Sequence, residues 1–276
     1  MIITIKNADF SSVKIGEVVI NIPEALVPAI TSLGLINNAQ IAALVAMYNS
    51  LNTAGYWGRI EKLYLPCLAS TLNKTHVNIK DGVVDWVPGT KYRLEEGLGI
   101  TGVSNSGDGD TYVAYERNGK NITSFSMIFS NAGVLDTSTS AILGLRSEFD
   151  TNTKRQFTPS FAFNTENKAL RLQAVYNSLV SQGITTGNKN NQLTAIGHIS
   201  DKNYFLAGMG VYETIEATYA PNDRLSDKLT YYSNLNGDLA INLSVPIAVS
   251  GIMDGITSSE YTELNTIFGK FRDSFA

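Results

Sequence analysis

The feature that most constrains this chain is a two-residue alternation of apolar and polar side chains, which recurs between about residues 60 and 252. In the stretch ITSFSMIF, one face of a strand carries Thr123, Phe125, Met127 and Phe129, and the other face carries Ser124, Ser126 and Ile128. The stretch ALRLQAV repeats the pattern. Strands of this kind are half-buried and are typical of antiparallel sheets.

Turn dipeptides separate the strand-like stretches. Asn118-Gly119, Asp81-Gly82 and Asn236-Gly237 are pairs that favour tight turns between strands. The polar stretch SQGITTGNKNNQ indicates a loop. Because no helical pattern alternates with the strands, the predicted fold class is mainly β, an antiparallel two-sheet jelly-roll sandwich rather than a parallel α/β sheet.

Two amphipathic helices are predicted, one on each side of the strand-rich region. The first lies near residues 37–54, with Asn37 as its N-cap, apolar residues at offsets of three and four, and Gly55 as its stop. The second lies near residues 257–272 and opens with TSSE, a capping box. Since both helices need an apolar surface to cover, we expect them to pack together on one side of the sandwich.

The first 30 residues alternate only in short bursts, and Pro23 and Pro28 interrupt any continuation. A few isolated strands are marginal in water. We therefore predict that residues 1–30 are an arm that pairs with a partner and that residues 31–276 form the body. The residues predicted to carry this attachment are Ile3, Ile5, Phe10, Val13 and Ile15.

Composition excludes several classes of partner. The net charge is −4 and the 21 Lys and Arg residues are scattered singly, so we expect no binding to nucleic acid. No stretch resembles a secretory signal or approaches the roughly 20 apolar residues of a membrane span, so we expect no signal peptide, no membrane insertion and assembly in the cytoplasm. Cys67 is the single cysteine; it excludes a disulfide framework and is expected to be buried.

The order of elements resembles a known family. The helix in LINNAQIAALVAMYNSLNTAGYWGRIEKLYLP, the strand-rich body and the closing VSGIMDGITSSEYTELNTIFGKF are similar to the concanavalin A-like (laminin-G-like) jelly-roll domains of bacteriophage structural proteins, particularly those of Bacteroides-type hosts. The stretch IKNADFSSVKIG resembles the virion-attachment arms that precede such domains. The resemblance implies a virion component, such as a tail fibre, head fibre, receptor-binding or decoration subunit, which contacts other virion proteins and usually assembles as a homotrimer.

Two acidic patterns suggest alternative chemistry. Glu148 and Asp150 share one face of a strand, as do the two carboxylates of retaining glycosidases at about 5.5 Å. The third acid that jelly-roll glycanases carry just afterwards is missing, so we predict no enzymatic activity and keep a polysaccharide-degrading hydrolase as the alternative. In the stretch SGDGD, Asp108 and Asp110 are candidate Ca²⁺ ligands. The alternative interpretation of this stretch is a polar hairpin loop that binds no metal.

The aromatic residues carry the prediction of a glycan site, because sugars stack on rings that are flanked by amides. Two adjacent tyrosines in KLTYYSNLNGD cannot both face inward. The predicted contact consists of Tyr231, Tyr232, Asn234 and Asn236. His76 and His198 have no nearby nucleophile signature, and we expect them to be structural. The sequence thus predicts a non-enzymatic virion protein that binds host surface glycan, with a purely architectural decoration subunit as a further alternative.

Overall fold

The computed structural model shows a mostly antiparallel β-protein with a few helices. The residues that it describes are 13–15, 18–35, 37–88, 92–102, 124–131, 145–149, 158–164, 169–175, 193–200, 203–208, 210–216, 225–231 and 246–274. The strands are β1 (Val13–Ile15), β2 (Val18–Ile20), β3 (Ile60–Tyr64), β4 (His76–Val77), β5 (Val84–Trp86), β6 (Tyr92–Glu95), β7 (Gly99–Gly102), β8 (Phe125–Asn131), β9 (Leu145–Phe149), β10 (Thr158–Asn164), β11 (Ala169–Val175), β12 (Leu193–Ser200), β13 (Asn203–Gly208), β14 (Val211–Glu216), β15 (Leu225–Tyr231) and β16 (Ile247–Met253). The α-helices are α1 (Val27–Leu33), α2 (Asn38–Thr53) and α3 (Ser258–Asp273), and short 3-10 helices lie at Glu24–Leu26, Trp57–Arg59, Pro66–Leu68 and Leu72–Lys74.

The main sheet contains eight strands in the order β14-β13-β12-β8-β16-β7-β6, with β3 as an additional partner of β16. One edge of β16 pairs with β8, and the other edge pairs with β7 at Ile247 and with β3 from Ser250 onward. The other described strands form the separate pairs β1–β2, β4–β5, β9–β15 and β10–β11. Every pairing among the described strands is antiparallel, which confirms the predicted antiparallel class.

Both faces of the main sheet are buried at its centre, at β8 and β16. On one face, Ile128, Ala195 and Phe205 belong to the same apolar core as the helices. On the opposite face, Met127 and Ile252 are paired across strands and are also buried. The stretch ITSFSMIF was predicted to form a half-buried strand, and this is wrong for β8, because Ser126 and Ile128 on its second face are buried as well.

Helices α2 and α3 pack against each other and against the main sheet, as the sequence predicted. The Asn37 side chain accepts a hydrogen bond from the Ala39 amide at 2.9 Å, and Thr257 and Glu260 form the expected capping box on α3. Gly55 has a φ of 79° and follows the end of α2, where only glycine avoids strain. No helix in the described part of the chain has the length and hydropathy needed to cross a membrane.

The predicted boundary of the N-terminal arm at residue 30 is wrong. Ile22, Leu26 and Ala29 are buried in the same core as the body. Pro28 was predicted to interrupt the structure, but it lies in the first turn of α1, where proline costs no helical hydrogen bond. The body therefore begins near residue 22. In front of it the structure describes the hairpin β1–β2, which contains Val13 and Ile15; the predicted attachment residues Ile3, Ile5 and Phe10 lie outside the described residues.

The Asp81-Gly82 turn is present between β4 and β5. Gly82 has a φ of 73° and its amide donates to the Asn78 carbonyl at 2.7 Å. A Cβ at this position would lie 2.6 Å from the backbone carbonyl of Pro28, so the turn docks closely on α1. The turns predicted at Asn118-Gly119 and Asn236-Gly237 lie outside the described residues.

Candidate functional site

An open groove of about 710 Å³ runs between α2 and α3 on the surface of the body. Helical residues form its walls, so their positions are set by packed secondary structure rather than by a loop. All of the lining residues except Ala54 and Ile267 are polar. The lining residues are Asn49, Ser50, Thr53, Ala54, Ser259, Thr262, Glu263, Thr266, Ile267 and Lys270.

Three hydroxyl groups of the groove donate their hydrogen to the preceding helical turn. Ser50 donates to the Ala46 carbonyl at 2.9 Å, Thr262 to Ser258 at 3.1 Å and Thr266 to Thr262 at 3.0 Å. A hydroxyl carries a single donor and two acceptor lone pairs. These oxygens can therefore only accept further hydrogen bonds, and the groove favours a ligand that is rich in hydroxyl donors.

The position of Glu263 in the groove is fixed by a hydrogen bond from Tyr56. The Tyr56 hydroxyl donates to Glu263 Oε2 at 2.7 Å. Burial and the neighbouring Glu263 carboxylate raise the pKa of Tyr56 above its usual value, so the phenol remains a donor at neutral pH. Glu263 adds a further acceptor to the groove, while Lys270 is the only cation among the lining residues that the structure describes.

The start of α3 is fixed by an ion pair with the segment that follows α2. The Arg59 guanidinium donates to the Glu260 carboxylate and, at 2.6 Å, to the Gly255 carbonyl. Burial alone would raise the pKa of Glu260, but hydrogen bonds from Arg59 and the Thr257 amide hold it below its usual value. This contact joins the chain before β3 to the first turn of α3 and to the chain after β16.

The middle of α3 is fixed on the first residue of β12. The Tyr261 hydroxyl donates to the Leu193 carbonyl at 3.0 Å. The Leu193 amide donates to Asn265 Oδ1 at 2.8 Å. Both polar groups of one strand residue are thus satisfied by α3, which orients the opposite, hydroxyl-lined side of the helix toward the groove.

A second polar cluster lies beside β3 and β5, and its groups satisfy one another. Lys62 Nζ lies 2.8 Å from Asp85 Oδ2, to which the Tyr64 hydroxyl donates at 2.7 Å. The Tyr64 ring lies 5.3 Å from the His76 ring. Burial lowers the pKa of His76 to about 3, so this histidine is neutral and structural, as predicted, and is a poor general base at neutral pH.

Of the four residues predicted from sequence to bind glycan, the structure describes the strand position of one. Tyr231 is the last residue of β15 and pairs with Leu145 of β9, while Tyr232, Asn234 and Asn236 lie outside the described residues. Glu148 lies on β9, and Asp150 lies outside the described residues. These predictions therefore stay predictions.

The same holds for the predicted Ca²⁺ ligands Asp108 and Asp110, which lie outside the described residues. Within the ranges that the structure describes, no group of three or more His, Cys, Asp or Glu residues is placed to hold a metal ion. Cys67 is buried as predicted, and burial raises the pKa of its thiol to about 12.

Sequence reasoning missed the groove, although a signal was present. Ser259, Thr262, Glu263 and Thr266 recur at offsets of three and four, which places them on one face of a helix. A polar helical face is usually solvated. The sequence does not indicate that α2 forms a second wall opposite this face.

Comparisons with known proteins identify only distant likenesses. No family model matches the chain, and no curated protein matches it. Ruminococcus gnavus IT-sialidase CBM40 bound to alpha2,3 sialyllactose is similar with a TM-score of 0.41 and 13% identity over 59% of this chain and 95% of that one. The same protein bound to alpha2,6 sialyllactose gives a TM-score of 0.40 and 12% identity over 59% and 95%. Trypanosoma rangeli sialidase in complex with sialic acid gives 0.41 and 11% over 63% of this chain and 28% of that one. Similarity at this level assigns the chain neither to a family nor to a function.

Proposed function

We propose that this protein is a non-enzymatic structural subunit of a bacteriophage virion, a tail or head fibre, which binds a host surface glycan through its body. The observation that carries the glycan part is the α2–α3 groove, in which the hydroxyl groups of Ser50, Thr262 and Thr266 already donate to the helix backbone and can only accept further hydrogen bonds. Each sugar hydroxyl can donate one hydrogen bond, so a short oligosaccharide can supply a donor to each of these acceptor oxygens. A groove of this volume accommodates a short oligosaccharide.

The glycan proposal is tested with two tryptophan variants on the same helix. Asn49 lines the groove, so Asn49→Trp fills it and is expected to abolish glycan binding on an array and by calorimetry. Asn52 is also exposed on α2 but does not line the groove, so Asn52→Trp controls for the added ring and should bind like the unmodified protein. Absence of glycan binding by the unmodified protein, or equal binding by the two variants, would refute the assignment of the groove.

The virion part of the proposal rests on the hairpin β1–β2. Among the described strands, β1 and β2 pair only with each other, and an isolated two-stranded hairpin is marginal in water. Its position directly before the first core residue, Ile22, suits an arm that completes a sheet in a neighbouring virion protein.

Deletion of residues 1–21 is the matched test, because it removes the hairpin and leaves Ile22 and all the buried core residues in place; the only described core contact that it removes is that of the partly buried Ile20. The truncated protein is expected to remain folded by circular dichroism and to keep its glycan binding, but to be absent from purified particles. Incorporation of the truncated protein into particles at the normal level would contradict the docking role. Deletion of residues 1–30 is unsuitable, since it removes Leu26 and Ala29 from the core.

The proposal includes a two-layer jelly roll and a homotrimer. Burial of both faces at the centre of the main sheet supports a second layer. Three copies would raise a weak glycan affinity through effective concentration. Sedimentation equilibrium measures the number of copies. A monomer at micromolar concentration would remove the avidity argument while leaving the groove assignment untouched.

The competing function is a polysaccharide hydrolase that uses Glu148 and Asp150. Glu148→Gln distinguishes the two functions. A hydrolase would lose turnover of host capsule and keep its binding, whereas the proposed subunit shows no turnover before or after the substitution.

A further inference from the structure

Arg272 is a buried cation in the last turn of α3. Its side chain is 5% exposed, and its Nη1 donates to Ser130 Oγ on β8. Among the described residues, Nε and Nη2 have no hydrogen-bond partner, and no carboxylate forms an ion pair with this guanidinium. A buried charge whose donors are unsatisfied strongly destabilises a protein unless another group pairs with it.

The two unsatisfied nitrogens form one edge of the guanidinium. Nε–H and the syn hydrogen of Nη2 point in parallel, and this is the edge that binds both oxygens of a carboxylate or phosphate. Ser130 occupies the remaining nitrogen. The part of Arg272 that is left open is therefore the part best suited to bidentate recognition of an oxyanion.

The neighbours of Arg272 leave space beside this edge and do not pair with it. Burial lowers the pKa of Arg272 to about 10, and the nearby Asp273 carboxylate opposes this shift, but among the described residues no ion pair joins the two side chains. Gly269 lies one turn earlier, is half-exposed, and a Cβ built on it would lie 3.8 Å from Nη2. Glycine at this position leaves a gap next to the guanidinium that other side chains would fill. Burial raises the pKa of the Cys67 thiol to about 12, although the nearby positive charge of Arg272 opposes this shift. The thiol is therefore uncharged at neutral pH and does not neutralise Arg272.

We infer that Arg272, Ser130 and the gap at Gly269 form a binding site for a small oxyanion, a carboxylate or a phosphate. The oxyanion accepts two hydrogen bonds from Nε and Nη2 and neutralises the buried charge. Neither Arg272 nor Gly269 lines the α2–α3 groove, so this site is separate from the proposed glycan site and stands without it.

The test is the thermal midpoint of the full chain in acetate, phosphate, sulfate or chloride, at constant ionic strength and neutral pH. The oxyanion that binds is expected to raise the midpoint by on the order of 3 °C for each tenfold increase of its concentration above its Kd. Chloride is expected to leave the midpoint unchanged. A response to acetate alone identifies a carboxylate ligand, and a response to phosphate and sulfate identifies a tetrahedral oxyanion. Isothermal titration calorimetry with the responding anion gives the stoichiometry, expected to be one per chain.

Three variants separate binding at Arg272 from general effects of salt. Arg272→Met is expected to abolish the response, and Arg93→Met, which removes an exposed guanidinium, is expected to keep it. Gly269→Leu fills the gap and is expected to abolish the response without lowering the midpoint in chloride, because leucine favours helix more than glycine does. A full response in Arg272→Met, or equal midpoints of the unmodified protein in all four salts, would overturn the assignment.

Discussion

The buried histidine His76 makes a strong prediction about the dependence of stability on pH. The Thr75 hydroxyl donates to the Leu72 carbonyl at 2.8 Å, so in its 3.0 Å contact with His76 Nδ1 the same oxygen accepts. Nδ1 therefore carries the proton of the neutral ring. A second proton would place a charge in a fully buried position, and burial lowers the pKa of His76 to about 3.

The size of the effect follows from the two pKa values. In the unfolded chain the pKa of histidine is 6.5, and in the folded protein it is about 3, so between these values the unfolded state binds one more proton. The contribution of His76 to stability is complete above pH 6.5 and is lost progressively as the pH falls toward 3. For one group, the loss between pH 7 and pH 5 is about 2 kcal/mol.

The assay is urea unfolding of the unmodified protein and of His76→Gln at pH 7 and pH 5. The variant is less stable at both values, but the quantity of interest is the difference between the two pH values. The other titratable groups are the same in both proteins, so their contributions to this difference cancel. The unmodified protein is expected to lose about 2 kcal/mol more than the variant. Losses that agree within about 0.5 kcal/mol would show that His76 is charged or solvated in the folded state, which would refute the argument.

Three further predictions test individual contacts. A Cβ at Gly99, whose φ is 126°, would lie 1.9 Å from the Ile247 carbonyl oxygen. Gly99→Ala is therefore expected to lower the free energy of unfolding in urea by well over about 2 kcal/mol. The control is Gly97→Ala, which has open space around its Cβ and is expected to lower this free energy by about 1–2 kcal/mol because of its backbone conformation alone. Equal costs would mean that β7 shifts away from β16 without penalty. Thr257→Ala removes the cap of α3 and is expected to lower the free energy of unfolding by about 1 kcal/mol; an unchanged value would show that the cap is replaced by water. The Cys67 thiol should react with Ellman's reagent only after denaturation, because it is buried and its pKa is raised to about 12, and rapid reaction of the native protein would contradict its burial.

Several elements of the fold could be predicted because their signals lie within a few neighbouring residues. The capping box at Thr257 and Glu260 and the cap at Asn37 define the starts of α3 and α2 from local hydrogen bonds. The Asp81-Gly82 turn follows from the tolerance of glycine for positive φ. Alternation with a period of two indicates antiparallel strands regardless of their partners.

The predictions that failed depended on what packs against each element. The face of β8 that carries Ser126 was expected to be the less buried one, yet Ser126 is fully buried because the centre of the sheet is covered on both faces. The arm was expected to extend to residue 30, but Leu26 and Ala29 pack into the core. Local pattern shows which residues share a face, whereas the covering layer is supplied by segments far away in the chain.

The sequence by itself determined the antiparallel class, the ends of α2 and α3, and the low, evenly scattered charge, since these follow from backbone preferences and composition. Only the tertiary structure brought Tyr56 into contact with Glu263 and Arg272 into contact with Ser130. The residues of the first pair are 207 positions apart in the sequence, and those of the second pair are 142 positions apart. The physical reason is that a binding site requires groups from separate elements within a few ångströms of one another. That proximity is set by the packing of the whole core and leaves no periodic signal in the local sequence.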